Sequence, residues 1–177
     1  MQMEYVCGKI CFMIRYHNIL TTPEDLETVN KILTSNNWAF KGGIAPKFSK
    51  RFWHMQLQDN DFFNGYFTSK IKQILKRDFI VESLYANGQT FGLDSEWHID
   101  SGRENMHTFL YYANSTWDLI WGGETLFHTA DGQIQYIPPE PNSAIFFPSN
   151  LYHYGRSPTR DCPYLRTTVA FKLNLLN

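Results

Sequence analysis

Short apolar or alternating runs fill the second half of the chain. They cover 79–86, 107–113, 124–129, 133–137, 143–147 and 166–173, and turn-forming residues punctuate them: Asn87-Gly88, Gly122-Gly123, Asp131-Gly132, Pro138-Pro139 and Pro148. Each run has the length of a strand, and Asp131-Gly132 between two of them predicts a tight hairpin. The first half reads differently. Thr22 is a hydroxyl cap, Pro23 suits a first helical turn, and two acids follow where the helix dipole favours them. Leu26, Val29 and Leu33 then recur at helical spacing. A second helix is expected over 60–77, with Phe63, Phe67, Ile71 and Ile74 on one stripe and Lys76 and Arg77 at its C-terminal end. Residues 5–16 are apolar enough for an opening strand or two, and Phe52-Trp53-His54-Met55 predicts another.

Many short strands with tight turns, preceded by helices, predict a mainly β (α+β) fold. The specific expectation is a jelly-roll, or double-stranded β-helix, with N-terminal buttressing helices. A length of 177 residues favours one domain over 1–177, with 1–78 as strand and helix support and 79–177 as the working core. Apolar residues at 43% and charged residues at 19% exclude a disordered chain. The 16% of aromatics fits a sheet-rich core. A formal net charge of −1 supplies no basic field for nucleic acid or an anionic membrane. No apolar run approaches the roughly 20 residues of a membrane span. Met1 to Lys9 lacks the features of a secretory signal, and the odd set Cys7, Cys11 and Cys162 forms no disulfide framework, so a reducing, cytoplasmic location is expected. Cys7 and Cys11 read as small core residues.

The candidate chemistry begins at His98-Ile99-Asp100. On an extended segment, residues i and i+2 point to the same side, so an imidazole and a carboxylate can grip one ion. His153 leaves a buried run, Phe146-Phe147-Pro148-Ser149, and completes two nitrogens and one anionic oxygen. Such a facial set leaves half of an octahedron open, as in non-haem Fe(II) oxygenases. Arg166 opens the last strand and suits a carboxylate, because a guanidinium offers two parallel donors.

The ordered motifs extend beyond the ligands. Ser83-Leu84-Tyr85 with Asn87-Gly88-Gln89 leads to His98-Ile99-Asp100. Tyr111-Tyr112-Ala113-Asn114, Trp117-Asp118 and Gly122-Gly123-Glu124-Thr125-Leu126-Phe127 follow, then Phe147-Pro148-Ser149, His153 and Arg166. From Tyr85 to Lys172 the chain resembles the catalytic core of the prolyl 4-hydroxylase branch of the Fe(II)/2-oxoglutarate dioxygenases. The resemblance implies iron held by His98, Asp100 and His153, and 2-oxoglutarate bound through Arg166. It implies that Tyr85 lines the cosubstrate pocket and that Tyr112 hydrogen-bonds the cosubstrate carboxylate. It further implies O2 as co-reactant, ascorbate for sustained activity, release of succinate and CO2, and hydroxylation of a C–H bond in a peptidyl prolyl or other peptide residue. One departure is the thirteen-position interval from His153 to Arg166, longer than the family's usual spacing, which makes Arg156 and Arg160 competitors for the anion. Arg166 is preferred, since a strand fixes a guanidinium better than a loop.

Three other functions compete. Arg166 followed by Lys172 partly resembles the two-arginine ending of the branch that demethylates nucleic acid, though near-neutral charge disfavours that partner. A free amino acid or other small molecule is a possible substrate for a short chain. A jelly-roll binding module without activity is the third. His107 and His128 read as structural, His54 as part of an N-terminal strand with a half-buried face, and Trp97, Trp117 and Trp121 as packing or groove residues. Arg103 and Glu104 are expected on a loop that folds over the site or carries solvated charge.

Overall fold

The computed structural model describes residues 2–5, 13–42 and 50–176. Cys7, Cys11 and most of the expected opening strand lie outside the described residues. The strands in chain order are β1 (Gln2–Tyr5), β2 (Ile14–His17), β3 (Ala39–Gly42), β4 (Arg51–Gln56), β5 (Phe79–Gln89), β6 (Met106–Tyr112), β7 (Thr125–His128), β8 (Ile134–Ile137), β9 (Ser143–Pro148), β10 (His153–Gly155) and β11 (Arg166–Leu175). Two α-helices, α1 (Pro23–Leu33) and α2 (Thr68–Leu75), precede β5, and a π-helical stretch over Asp61–Phe67 leads into α2. The strands form an eight-stranded antiparallel sheet, β1-β2-β9-β6-β11-β5-β4-β3, and a three-stranded sheet, β10-β7-β8. The fold is the expected jelly-roll with N-terminal helices.

The helix starts follow their caps. Thr22 accepts from the Asp25 amide at 3.2 Å, with Pro23 at the first helical position. Asn60 caps the second helical stretch through the Phe63 amide at 3.1 Å. That stretch ends at Lys76, which takes a left-handed φ of 51°. Its aromatic stripe faces the large sheet. Phe63 and Phe67 are fully buried, and the Phe67 ring lies 5.2 Å from Phe171 and 4.9 Å from Tyr111. The hairpin expected at Asp131-Gly132 joins β7 to β8, with Gly132 at φ 82°.

One expectation is corrected. Asn87-Gly88 is not a turn but lies inside β5, which runs unbroken to Gln89. Gly88 pairs with Thr167 on one side and Trp53 on the other. A Cβ there would stand 2.7 Å from Leu165 Cδ2 and 3.1 Å from Trp38, so glycine serves close packing rather than chain reversal.

The large sheet has two unlike faces. Toward the helices it presents Leu84, Ala86, Phe109, Tyr111, Val169, Phe171 and Leu173, all buried in one apolar cluster. The alternate residues of the same strands, among them Tyr85, Asn87, Thr108, Arg166, Thr168 and Lys172, line a cavity. Period-2 alternation therefore sorts core from site within single strands. A smaller cluster of Met13, Tyr112, Phe127, Ile137, Ile145 and Phe147 closes the other end between the sheets.

The helix-to-sheet contact is expected to carry stability. Phe171→Ala should cost about 3–5 kcal/mol in urea unfolding, whereas Ile80→Ala, at a residue 55% exposed on the same sheet, should stay within about 0.5 kcal/mol. Equal effects would place the core elsewhere.

Candidate metal centre and cosubstrate pocket

His98 and His153 meet through their backbones. Each amide donates to the other's carbonyl at 2.9 Å, one narrow antiparallel bridge outside the regular strands. The side chains then project to one side, with ring centroids 4.3 Å apart. The Asp100 and Ser101 amides both donate to the Ser149 carbonyl, at 2.8 and 3.1 Å, which fastens the rest of the motif to the β9–β10 connection. The three side chains converge: ligand atoms of His98, Asp100 and His153 lie within 4.8 Å of one another.

The hydrogen bonds select the tautomers. His98 Nδ1 lies 2.7 Å from the Glu96 carbonyl, and His153 Nδ1 2.8 Å from the Leu151 carbonyl. A carbonyl only accepts, so both Nδ1 atoms carry hydrogen, and in a neutral ring of this tautomer Nε2 presents the lone pair. Those Nε2 atoms face Asp100, at 3.5 Å from Oδ1 and 3.7 Å from Oδ2. Two oriented imidazoles and one carboxylate suit a divalent ion, and the backbone carbonyls are the outer partners that such ligands need.

Burial and neighbours set the charges. Burial pushes the His153 imidazole down to about 4, against the opposing pull of Asp100. Burial alone would raise the Asp100 carboxyl, but Lys172 above all, with His153 and His98, holds it well below the usual carboxylate range. The site therefore offers neutral His153 and ionised Asp100 at neutral pH.

The cavity measures about 520 Å³ and continues past this cluster to Arg166. Arg166 is 2% exposed. Its Nε donates to the Gly123 carbonyl, Nη1 to Gln89 Oε1 at 2.7 Å and Nη2 to Thr125 Oγ1 at 3.0 Å. Gln89 is held in turn by the Leu93 and Gly155 carbonyls. These bonds take one hydrogen from each guanidinium nitrogen, so each terminal nitrogen keeps a second one. Gly123, at φ 79°, lets the backbone press close: a Cβ would stand 3.1 Å from Arg166 Cδ. Of the competing arginines, Arg156 pairs with Glu124 at 3.6 Å and Arg160 lies over the Phe91 ring. Neither lines the cavity.

The tyrosines differ from each other. Tyr85 lines the cavity, lies with its ring tilted against His54 at 5.0 Å between centroids and hydrogen-bonds Lys172. Tyr112 does not line it. Its hydroxyl donates to Thr125 Oγ1 at 2.8 Å, the oxygen that also accepts from Arg166. Trp97 stacks between Tyr152 and Tyr154, and Trp117 donates to the Gly122 carbonyl. His107 stacks on Phe146. Arg103 does reach the rim of the cavity, where it pairs with Glu82; Glu104 does not. Among the cavity residues, Thr108 gave no signal in the sequence, and Gln89, Thr125 and Ser149 stood there only inside longer motifs with no role of their own.

Residues 83–171, half of the chain, match the family model described as the 2OG-Fe(II) oxygenase superfamily. The chain belongs to that superfamily. No curated protein matches this oxygenase. Among solved structures it is similar to a prolyl hydroxylase from Trichoplax adhaerens in complex with a hypoxia inducible factor oxygen degradation domain peptide fragment. That match has a TM-score of 0.71 at 15% identity and covers 92% of this chain and 83% of the other. A Pseudomonas putida prolyl-4-hydroxylase gives 0.68 at 14% identity, covering 94% of each chain. The non-heme alpha ketoglutarate dependent epimerase SnoN from nogalamycin biosynthesis gives 0.67 at 8% identity, covering 92% of this chain and 76% of the other. At these identities the likeness is one of fold. Among the described residues, no helix of the oxygenase is long and apolar enough to cross a membrane.

The buried imidazole gives a pH signature. Between pH 6.5 and about 4 the unfolded chain binds a proton at His153 that the folded chain does not. Stability of the metal-free oxygenase should therefore fall with pH through that window, by up to about 3 kcal/mol. Urea titrations at several pH values should show this slope, and His153→Phe should flatten it. An unchanged slope in the variant would contradict a neutral buried His153.

Proposed function

We propose that this oxygenase hydroxylates a peptidyl residue, prolyl in the first instance, with His98, Asp100 and His153 holding Fe(II) and Arg166 anchoring 2-oxoglutarate. The observation that carries this reading is convergence. Two imidazoles with defined tautomers, an ionised carboxylate and a guanidinium with hydrogens to spare line one cavity. When bound, Fe(II) with 2-oxoglutarate and O2 supplies the oxidising power, the cosubstrate leaving as succinate and CO2 while one oxygen atom enters a substrate C–H bond.

The chain's own residues place the reactants. The two remaining hydrogens of Arg166 make a fork for the distal carboxylate of the cosubstrate, fixing direction as well as charge. Thr125 Oγ1 accepts from Arg166 and Tyr112, so its own hydrogen is directed to a further acceptor, and the same carboxylate is in reach of that role. Tyr112 then acts through Thr125 rather than on the cosubstrate directly, and Tyr85 forms a wall of the pocket. The cavity extends beyond these groups along β4 and β5, past His54, Asn87 and Phe52 to Lys50, which leaves room for a second reactant. The prolyl hydroxylases among the similar folds, one of them carrying a peptide, support a peptide there. SnoN shows that a similar fold serves other chemistry, and this supports including free amino acids and small molecules in the assay.

The test is succinate release with Fe(II), 2-oxoglutarate, O2 and ascorbate over a panel of proline-containing peptides, with mass spectrometry for a gained oxygen. A hydroxylated prolyl residue is expected. Turnover on small molecules alone would overturn the peptide assignment, and failure to bind 2-oxoglutarate would overturn the enzyme reading. His153→Ala should stay folded and lose at least about 100-fold in turnover. Arg166→Met should weaken 2-oxoglutarate binding by about 2–4 kcal/mol, since a buried charge-assisted pair is lost.

A further inference from the structure

Beyond its pull on the Asp100 carboxyl, Lys172 has no role assigned above, yet it is a cation on the cavity face of β11 with its side chain only 12% exposed. It forms an ion pair with Asp100 Oδ2, donates to Thr108 Oγ1 at 3.3 Å and hydrogen-bonds Tyr85. Thr108 donates to the same Asp100 Oδ2 at 2.6 Å and contacts Ser149 Oγ at 3.2 Å. The other carboxylate oxygen, Oδ1, faces His98 Nε2 at 3.5 Å, while Oδ2 also stands 3.7 Å from His153 Nε2.

We propose that Lys172 and Thr108 form a brace that grips Asp100 by Oδ2 and presents Oδ1 alone to the metal ion. The proposal rests on the reading of His98, Asp100 and His153 as metal ligands. A carboxylate oxygen has two lone-pair directions. On Oδ2 the ammonium and the threonine hydroxyl fill both, whereas Oδ1 is left to face His98 Nε2. The count matters because a facial triad works only if it leaves positions open. A carboxylate gripping the ion through both oxygens would occupy a position the cosubstrate or O2 needs. The brace also fixes the angle of the carboxylate, which Ile99 and the loop after Asp100 would not do alone. An ammonium is costly to bury unless its partners are arranged around it. Asp100, Thr108 and Tyr85 are those partners, so Lys172 is a positioning residue built around one ligand.

The experiment uses Mn(II) as a redox-stable probe, its free concentration read by electron paramagnetic resonance during titration of the metal-free protein. Lys172→Met should bind Mn(II) about 10- to 100-fold more weakly than the wild type, Thr108→Val should show a loss of the same kind, and Lys172→Arg should recover to within about threefold. Circular dichroism checks that each variant is folded; if Lys172→Met does not fold, Thr108→Val carries the test, since it removes the other half of the brace. Binding by Lys172→Met as tight as the wild type, or tighter because a repelling charge is gone, overturns the brace. No Mn(II) binding by the wild type overturns the ligand assignment itself, and the brace with it, so the two failures are distinct.

Discussion

The paired backbone hydrogen bonds between His98 and His153 join two stretches more than fifty residues apart, and the site exists only because they do. A bridge of this kind sets the separation of the two α-carbons and the side to which their side chains point. It needs no metal to form, since its donors and acceptors satisfy each other. The imidazoles are then turned by carbonyls two residues back in each segment, Glu96 and Leu151. Main chain therefore fixes the position, direction and tautomer of both nitrogens before any ion arrives, which is the preorganisation a metal site requires.

Around that bridge the fold solves a second problem: how to bury charge without losing the core. Strands β5, β6 and β11 are covered on both faces, yet only one face is apolar. The helices take Leu84, Phe109, Val169 and Phe171, and the opposite face carries Arg166, Lys172, Thr108 and Gln89 into a cavity. Each buried charge there has its partners. Asp100 has Lys172 and Thr108; Arg166 has Gly123, Gln89 and Thr125. Isolated, either charge would be expensive. Satisfied by their neighbours, they cost less and gain fixed directions.

Much of this was legible in the residues. A His/Asp pair at i and i+2 and an arginine opening an apolar strand are local patterns, and most strand positions along the chain needed only run lengths and turns. The rest depended on register. Lys172 stood out only as the second member of a partial motif after Arg166, because alternation cannot say whether the polar face of a strand meets water or a cavity. Tyr112 lies on β6 beside β11, but Thr125 stands between its hydroxyl and the cavity. Asn87-Gly88 has the composition of a turn, yet Leu165 and Trp38 press on Gly88 from across the sheet, and that demand comes from tertiary packing. The helix over 60–77 followed from its apolar stripe and basic C-terminal end, while its π-helical start carried no such signal.

The central claim is that His98, Asp100 and His153 share one ion while Arg166 receives the far end of a dicarboxylate in the same cavity. Its most direct test is a crystal structure of the protein grown with Mn(II) and 2-oxoglutarate without oxygen. The account predicts one ion at about 2.0–2.2 Å from both Nε2 atoms and Asp100 Oδ1, with the distal carboxylate forked on Arg166. An ion bound without either imidazole, or a carboxylate seated on Arg156 or Arg160 instead, would contradict it.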